Sequence, residues 1–511
     1  MTGRDLRGAV MVCGTASNSG KSLLVAGLCR LLARGGVSVA PFKGQNMSLN
    51  SVVTKDGAEI GRAQGAQAEA AGVESDVTMN PILLKPTTDR RSQVVVMGRP
   101  WRVLDAVGYH AAKPELRGVV LEALAALRAR FDVVVLEGAG SPAEINLLEG
   151  DLVNLGLADA AGIPAVVVGD IDRGGVFAHL FGTVELLPAP LRARVRGFVI
   201  NKLRGDPALL GGGPAELSAR IGVAALGVIP WLEGVAIDAE DSLALSSDSS
   251  WLAERDLDES ATLDVAVVRF PRVSNFTDLD ALGAEPGVGV RWVEHRGQLG
   301  APDAVVLPGT KSTVADLAWL RARRLDVALA AALASSRPPA VLGICGGLQM
   351  LGRRIEDPLG VESASGAEGL GLVEVVTRFG EEKRTARRLG TERSSGLAVS
   401  GYEIHHGVVE AGAGADPWFD LEAEGTGPEP EGVADRARAI YGTTLHGVLE
   451  NDGLRAAWLT SVAARRGKPF VPGPVPFAEV RRRRVDVVAD ALAAHLDLDT
   501  LWRIVAEGVT S

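Results

Sequence analysis

The chain has few cysteines, no long hydrophobic run and no excess of positive charge, and each absence excludes a class of protein. Only three of its 511 residues are cysteines, an odd number that does not make a disulfide framework. No run reaches the ~18 apolar residues that a membrane-spanning helix needs, so we expect none. The net charge of −10 argues against nucleic acid or an anionic membrane surface as the main partner.

What is present describes a large soluble protein. Hydrophobic residues make up 47% and charged residues 23% of the chain, which is typical of globular domains with sizeable cores. A length of 511 residues predicts two or more domains. The first apolar run is too short for a signal peptide, so we expect a reducing, cytoplasmic compartment.

The first half alternates short apolar, β-rich runs with amphipathic stretches. Runs that are apolar on both faces favour a parallel sheet covered by helices on each side, the doubly wound α/β pattern, with ligand sites at the carboxyl ends of the strands. The predicted strands of this half are 9–15, 37–43, 131–140, 163–171, 195–203 and 222–230.

A Ser- and Asp-rich stretch interrupts this alternation, and a second α/β series follows it. Its predicted strands are 263–270, 303–313 and 340–347, after which the pattern becomes more β-rich and ends in helical segments. The predicted organisation is a first α/β domain (1–245), a linker (246–261), a second α/β domain (262–455) and a C-terminal helical extension (456–511).

The sequence CGTASNSGKS, residues 13–22, follows the first predicted strand and ends as a Walker A loop ends. Thr15 stands where the strict pattern has glycine and Gly14 is one residue further back, so the loop is one residue longer than usual. Backbone N–H groups at the helix start and the Lys21 cation suit phosphate oxygens. The residues predicted to bind ATP here are Gly14, Thr15, Ser19, Gly20, Lys21 and Ser22.

A phosphate loop needs an acidic partner for magnesium. Glu137 follows an apolar strand and is our predicted Mg²⁺ ligand together with Ser22, with helix capping as the alternative for Glu137. Asp56 and Glu59 are further candidates, of which Glu59 is preferred, although both are also ordinary turn residues.

Two more strand ends carry polar residues. Asp170, Asp172 and Arg173 follow one strand, where they bind substrate or cap a helix. Asn201 follows the next strand, at a place where P-loop proteins often contact the nucleotide base, and is predicted to contact ATP.

The sequence AVLGICGGLQMLG, residues 340–352, ends an apolar strand in a cysteine flanked by glycines. Such a strand–nucleophile–helix elbow presents a reactive side chain, and the helix start favours thiolate. We predict Cys345 as a nucleophile, with the backbone N–H of Gly346 in an oxyanion hole and Gly309 as the second donor. Cys13 and Cys29, by contrast, are expected to be small core residues.

The cysteine needs a base, and the chain has seven histidines. His446, near the end of a late β-like run, is our predicted base. His405 and His406 are the rivals.

The second half resembles the class I glutamine amidotransferases. In that family a Cys–His pair attacks the glutamine side-chain amide, forms a thioester and releases ammonia. The usual third member is Glu two residues after the histidine, where this chain has Val448; Glu450 lies four residues after it. The resemblance to the cobalamin-pathway branch therefore predicts a Cys345–His446 dyad.

The first half resembles the dethiobiotin synthetase-like P-loop enzymes, which share the lengthened loop. From about residue 9 to the end, the chain is similar to the cobalamin-pathway amidotransferase family. The motifs that carry this similarity are GTASNSGKS, PFKGQNMSLNS, EIGRAQ, MNPILLKP, EGAGSPAEINL, GDIDRGGVFA, VINKLRGD, LPGTKST, GICGGLQMLG, GYEIHHG and LHGVLEN.

This similarity implies amidation of the b, d, e and g carboxylates of adenosylcobyrinic acid a,c-diamide, a corrinoid. ATP with Mg²⁺ would activate each carboxylate as an acyl phosphate, and glutamine would supply the ammonia. The similarity further implies that Lys43 and Asn46 bind substrate. No particular oligomeric state is predicted.

Two alternatives remain at this point. The first is the sister enzyme that makes the a,c-diamide, against which the QNMSLNS and MNPILLKP segments argue. The second is a ParA/MinD-like regulatory ATPase with an inactive glutaminase domain, against which Cys345 and His446 argue.

Overall fold

A computed structural model describes residues 5–88, 90–235, 263–363, 365–422 and 427–508. The predicted linker, 246–261, lies outside the described residues. Within them the chain forms two compact units, one of residues 5–48, 54–235 and 481–508 and the other of residues 49–53 and 263–480.

The alternation predicted for residues 8–230 is present. The strands are β1 (Gly8–Gly14), β2 (Val39–Phe42), β3 (Gln45–Met47), β4 (Ser51–Val53), β5 (Glu59–Gly61), β6 (Ile82–Pro86), β7 (Arg91–Val96), β8 (Arg99–Asp105), β9 (Val133–Glu137), β10 (Ala165–Asp170), β11 (Val195–Leu203) and β12 (Ala224–Pro230). The α-helices are α1 (Lys21–Arg34), α2 (Arg62–Ala71), α3 (Ala106–Arg130), α4 (Leu155–Ala160), α5 (Val176–Glu185), α6 (Ala189–Arg192) and α7 (Gly213–Ile221).

The main sheet of the first unit has the strand order β12-β11-β10-β1-β9-β2, and every pairing in it is parallel. This confirms the predicted doubly wound α/β fold. A smaller mixed sheet, β3-β6-β7-β8, interrupts the series between β2 and β9. The parallel order places the ends of β1, β9, β10 and β11 along one edge of the main sheet.

Both faces of the main sheet are covered, which explains the continuous apolar runs. In β1, Ala9, Met11 and Cys13 contribute to one core while Val10 and Val12 contribute to the other. Cys13 is thus a core residue, as expected, and so is Cys29 on α1. Burial raises the pKa of both thiols.

The last part of the chain, predicted to be a C-terminal helical extension (456–511), is divided between the two units at residues 480 and 481. It contains α14 (Phe477–His495) and α15 (Leu498–Glu507), and residues from 481 onward group with the first unit. Val488, Leu492 and Ile504 pack in the same core as Val10. Sequence periodicity predicts that such helices are amphipathic, but it does not identify the sheet that their apolar face covers.

The second unit begins its main series at residue 263. Its strands are β13 (Leu263–Val268), β14 (Val288–Val293), β15 (Ala304–Leu307), β16 (Ala340–Ile344), β17 (Arg354–Glu356), β18 (Ala367–Glu368), β19 (Val375–Glu392), β20 (Ala398–Ala411), β21 (Phe419–Leu421), β22 (Glu429–Glu431), β23 (Val433–Asp435) and β24 (Ile440–Thr443). Its remaining α-helices are α8 (Asp280–Ala284), α9 (Arg296–Leu299), α10 (Thr313–Ala322), α11 (Leu325–Leu333), α12 (Gly346–Leu351) and α13 (Asp452–Arg466).

The main sheet of this unit has the order β14-β13-β15-β16-β24-β23, parallel except for the antiparallel edge strand β23. It is the predicted second α/β sheet. A second sheet, β18-β17-β19-β21-β22 with β20 paired to β19, accounts for the β-rich pattern after residue 370. Where the chain is described, no helix is both long and apolar enough to cross a membrane.

Candidate active sites

The second unit carries a cysteine at a sharp turn between β16 and α12. Cys345 has φ +50° and ψ −109°, a conformation that costs a non-glycine residue energy and is typical of functional turns. A side chain at Gly347 would collide with the Leu307 carbonyl oxygen, so the turn requires glycine there. The structure therefore has the predicted elbow, with the thiol of Cys345 at the carboxyl end of a central strand.

His446 lies next to Cys345 because β24 is the parallel neighbour of β16. Its imidazole is buried, and the nearby Cys345 is one of the groups that raise its pKa. The backbones of His446 and Tyr402 exchange two hydrogen bonds, 3.0 and 2.8 Å long, and the Tyr402 ring stacks on the imidazole at 5.5 Å between centroids. The structure thus brings the two residues predicted from the sequence together.

A third residue completes this arrangement. Nδ1 of His446 donates to Oδ2 of Asp278 at 2.7 Å, and the backbone N–H of Gly447 donates to Oδ1 at 2.8 Å. Asp278 is buried and lies on a short 3₁₀-helix, Phe276–Leu279. Cys345, His446 and Asp278 thus form a triad by geometry, in which the carboxylate on Nδ1 of His446 is Asp278 rather than Glu450.

Sequence analysis missed Asp278 because it lies 168 positions before His446, whereas the expected acid follows the histidine closely. One signal was present. The segment NFTDLDAL follows β13 and sets two acids in an otherwise apolar stretch. Buried acids just beyond a parallel strand are candidates for a site.

The charged groups of the triad shift one another's pKa values toward the charged forms. Burial acts to lower the pKa of His446, but Asp278 and Cys345 outweigh it and raise that pKa to about 10. Burial acts to raise the pKa of the Cys345 thiol, but the charge and hydrogen bond of His446 outweigh it, so this pKa lies below its usual value. The arrangement favours a thiolate beside an imidazolium.

Both predicted oxyanion-hole glycines border this pair. The backbone N–H of Gly346 contributes to the lowered pKa of the Cys345 thiol. A Cβ at Gly309 would lie 3.0 Å from Cε1 of His446, and the Gly309 carbonyl accepts a hydrogen bond from Ser274 N at 2.9 Å, which fixes the loop after β15.

His405 lies close to the triad, but its contacts are different. Its Nδ1 hydrogen-bonds the Gly407 carbonyl at 3.0 Å, and its Nε2 is 3.7 Å from Oε1 of Glu403. Burial acts to lower the pKa of His405, whereas Glu403 and Cys345 raise it overall. His406 follows on the same strand, and its carbonyl accepts from Gln349 Nε2 at 3.3 Å.

The first unit has the phosphate-type loop between β1 and α1. Nζ of Lys21 donates to the carbonyls of Ala16 and Gly140 at 3.0 and 3.1 Å, which folds the lysine back over the loop. Gly20, at the helix start, has φ +96°. The buried hydroxyl of Ser19 has no hydrogen-bond partner in the described part of the chain. A ligand with several oxygens suits such a loop. Gly14 and Thr15 lie at its start, where Thr15 N donates to the Val168 carbonyl.

Glu137, at the end of β9, is the centre of a buried polar cluster. Its Oε1 accepts from Ser22 Oγ at 2.8 Å and from Lys43 Nζ at 3.0 Å, and its Oε2 accepts from Gln67 Nε2 at 2.5 Å. Burial acts to raise the pKa of Glu137, but Lys43 and these hydrogen bonds lower it overall. The structure thus places the two predicted Mg²⁺ ligands, Ser22 and Glu137, in contact, and Lys43 and Gln67 bind the same carboxylate.

The other predicted residues of this unit lie in separate contacts. Glu59 forms a buried ion pair with Lys85 at 2.5 Å, and Asn46 Nδ2 donates to Gln64 Oε1 at 2.8 Å. No group of three or more His, Cys, Asp or Glu side chains with metal-binding geometry occurs among the residues that the structure describes.

The ends of β10 and β11 meet the phosphate-type loop. Asn201 Nδ2 donates to the Ser19 carbonyl at 3.0 Å, and Asp170 accepts from Lys202 Nζ at 2.8 Å. Asp172 pairs with Arg204 Nε at 2.7 Å. Arg173 is exposed.

Comparisons with known proteins identify the domain family of each half of the chain. Residues 10–244 match the CobQ/CobB/MinD/ParA nucleotide binding domain, and residues 264–454 match the CobB/CobQ-like glutamine amidotransferase domain. Cobyric acid synthase from Frankia casuarinae is 50% identical over 529 residues, and the protein of that name from Nocardia farcinica is 51% identical over 516 residues. Each alignment covers 98% of this chain and 98% of the relative.

A solved glutamine amidotransferase is 18% identical and covers 39% of this chain and 98% of its own, at a TM-score of 0.31. The family matches and the full-length relatives define the class of protein: an enzyme that combines a nucleotide-binding domain with a glutamine amidotransferase domain, a glutamine-hydrolysing carbon–nitrogen ligase. The chain belongs to the cobyric acid synthase family.

Proposed function

We propose that this protein uses ATP and glutamine to amidate the b, d, e and g carboxylates of adenosylcobyrinic acid a,c-diamide, through acyl phosphate intermediates. The observation that carries the proposal is the buried Cys345–His446–Asp278 arrangement in a chain with full-length similarity to cobyric acid synthases. A regulatory ATPase with an inactive glutaminase domain would not need this arrangement.

Glutamine hydrolysis begins at Cys345. Its thiolate attacks the side-chain amide carbon of glutamine, and the carbonyl π electrons move to the oxygen. The backbone N–H groups of Gly346 and Gly309 stabilise this oxyanion. His446, as imidazolium, gives its proton to the amide nitrogen, so that ammonia leaves and a thioester remains.

Water then releases the second product. Neutral His446 accepts a proton from the water, whose oxygen attacks the thioester carbon. The C–S bond breaks, glutamate leaves, and the thiolate and imidazolium are restored. Asp278 is a positioning residue throughout, since its carboxylate fixes the ring orientation and the Nδ1–H tautomer without touching the substrate.

The nucleotide-binding unit serves a different purpose. A carboxylate is a poor electrophile, because its charge repels a nucleophile and oxide is a bad leaving group. Transfer of the γ-phosphoryl group of ATP makes an acyl phosphate, and ammonia displaces phosphate from it to give the amide. Lys21 and the backbone N–H groups of Gly20 and Ser22 would stabilise the charge that develops on the phosphates.

Magnesium fits part of the predicted ligand set. The Ser22 hydroxyl and the Glu137 carboxylate are adjacent oxygen ligands that would hold it, and Mg²⁺ would neutralise phosphate charge. Glu59 does not fit, because its carboxylate is held in the buried pair with Lys85. Asn201 supports the loop through Ser19.

The roles of Lys43 and Asn46 in substrate binding are less direct than the family resemblance implies. Lys43 is buried against Glu137, and Asn46 is buried against Gln64. We propose that these residues shape the phosphate edge, while Asp170, Asp172 and Arg173 remain the candidates for substrate contact. All three cysteines are free, which agrees with the expected reducing cytoplasm.

Product analysis tests the proposal. The protein is incubated with MgATP, glutamine and adenosylcobyrinic acid a,c-diamide, and product masses are followed with time. We expect four successive mass changes, each accompanied by one ADP and one glutamate. A protein that amidates only the a and c carboxylates of cobyrinic acid would be the sister enzyme, and one that hydrolyses no glutamine would be a regulatory ATPase.

A further inference from the structure

A short piece of the N-terminal half of the sequence belongs to the glutaminase unit. Residues 49–53 group with residues 263–480, although the residues on either side of them along the chain group with the nucleotide-binding unit. These five residues lie within the QNMSLNS stretch and its continuation. Neither of the two proposed reactions assigns a role to them.

The first contact of this segment is with the turn that carries Asp278. Oδ1 of Asn50 accepts from Phe276 N at 3.2 Å, and Oδ1 of Asn275 accepts from Ser51 N at 2.9 Å. The two asparagines therefore make reciprocal bonds between the segment and the start of the 3₁₀-helix. All of these groups are buried, where an unmade hydrogen bond is costly.

The turn depends on an unusual backbone conformation. Asn275 has φ +50°, in the left-handed region that asparagine tolerates better than most residues. Asp278 N donates to the Asn275 carbonyl at 3.0 Å. Because Asp278 is three residues from Asn275, the two asparagine bonds fix the start of the helix that aims its carboxylate at His446.

The second contact is with the strand that backs the imidazole. Val53 is buried against Tyr402 and Ile404, and its carbonyl accepts from Arg387 Nε at 2.8 Å. Tyr402 stacks on the His446 ring and pairs with its backbone. The segment thus contacts both elements that hold His446, the Asp278 turn on one side and the Tyr402 strand on the other.

From these contacts we infer that residues 49–53 are a positioning segment for the glutaminase triad, with Asn50 as the residue on which the orientation of Asp278 most depends. The inference rests on the proposed glutaminase function. It means that the triad is held in part by five residues whose neighbours along the chain, Ser48 and Thr54, belong to the nucleotide-binding unit.

The test uses the full-length enzyme and the variant Asn50→Ala. We expect kcat for glutamine hydrolysis to fall about tenfold, the scale of one lost buried hydrogen bond, with KM for glutamine little changed. The second readout is the pH dependence of Cys345 alkylation by iodoacetamide, whose midpoint should move to higher pH because His446 is held less firmly. A residue that only supports the fold would not move this midpoint.

Two controls separate positioning from misfolding. Ammonia-supported amidation needs no triad, so folded Asn50→Ala should retain it. Lys55→Ala, at an exposed position beyond the segment, should match wild type in every readout. Asn50→Asp keeps an oxygen acceptor for Phe276 N and should recover most of the rate.

The outcomes are distinct. A wild-type hydrolysis rate and alkylation midpoint in folded Asn50→Ala would overturn the inference. If that variant does not fold, Asn275→Gly is tested instead, with the same two readouts and the same criterion. This change removes the acceptor of Ser51 N, and glycine adopts the positive φ of this position without strain. A wild-type enzyme without any glutaminase activity would instead overturn the proposed function, before any variant is compared.

Discussion

The two candidate sites lie at the carboxyl edge of parallel sheets, yet they differ in how complete they are. In the glutaminase unit, Cys345, His446 and Asp278 already satisfy one another. In the nucleotide-binding unit, the buried Ser19 hydroxyl and Oε1 of Gln67 have no hydrogen-bond partner within the described residues. The first site is preorganised by protein groups alone, whereas the second has polar atoms that a bound ligand would satisfy.

This difference follows from the chemistry proposed for each site. A thiolate nucleophile must be charged before the neutral glutamine arrives, so its partner charges have to be built in. A phosphate site receives its negative charge with the ligand, and the protein has only to supply donors and cations. Some of these groups also hydrogen-bond within the protein, as Lys21 does to two carbonyls and Lys43 to Glu137.

The largest expected effect separates the two sites completely. Cys345→Ala should lower glutamine-dependent amidation about 10³-fold or more, because no other group supplies the nucleophile. Amidation with ammonium salts at elevated pH should continue, with ATP use still coupled to amide formation. The measurement is corrinoid product mass with each donor, and unchanged melting temperature is the control.

Two results with the Cys345→Ala protein would contradict this separation of the two sites. A folded Cys345→Ala protein that cannot use ammonia would place Cys345 in the synthase chemistry. One that uses glutamine at the wild-type rate would make Cys345 a packing residue at a tight turn.

Lys21→Ala should affect both donors equally. Loss of the cation that stabilises charge on the transferred phosphoryl group should lower synthesis about 10²–10³-fold with glutamine or with ammonia. Near-normal synthesis in this variant would contradict the assignment of the loop. Glutamine hydrolysis without ATP, followed as glutamate release, is the internal control and should persist.

Asp278→Asn should lower glutamine hydrolysis about 10²-fold, because an amide at this position neither stabilises the imidazolium nor enforces the Nδ1–H tautomer. Ammonia-supported synthesis should remain near wild type. Hydrolysis at the wild-type rate would return the site to the Cys–His dyad predicted from the sequence.

The pH dependence of alkylation tests the difference in thiol pKa between Cys345 and the two core cysteines, Cys13 and Cys29. The pKa of Cys345 is lowered and that of His446 is raised to about 10, so iodoacetamide should react with Cys345 well below the usual thiol pKa. Glutamine hydrolysis should fall as the pH drops through the thiol pKa and again above pH ~10, where His446 loses the proton that the leaving ammonia needs. A midpoint near 8.5, the usual thiol value, would argue against the ion pair.

The smallest expected effect is that of Glu450→Ala. Since Nδ1 of His446 is bonded to Asp278, removal of the Glu450 carboxylate should change the glutamine hydrolysis rate less than about twofold. A loss as large as that of Asp278→Asn would show that Glu450 also acts on the histidine.

Sequence reasoning was sufficient where a short stretch of sequence by itself indicates the local structure. The strands β1, β9, β10 and β16 were predictable because runs apolar on both faces fit only a covered parallel sheet. The place of Cys345 and of Lys21, each at a glycine-rich turn between a strand and a helix, could be predicted from the same kind of local pattern.

The parts that sequence reasoning missed depend on contacts between distant stretches. Nothing local to Asp278 indicates that it meets His446, and nothing local to Lys43 indicates that it meets Glu137, 94 positions away. The grouping of residues 49–53 with the second unit likewise follows from three-dimensional packing around Tyr402, not from any pattern within the five residues.

The packing of α14 and α15 against the sheet of the first unit has a consequence for the order in which the two units can fold during synthesis. Val488, Leu492 and Ile504 complete a core that also contains Val10, from the first strand of the molecule. These residues follow the glutaminase series along the chain, so during synthesis the first unit cannot bury that face of its sheet until that series has emerged from the ribosome. Domains usually fold as they emerge, but here the first unit needs α14 and α15, so the glutaminase series can complete its own core before the first unit does.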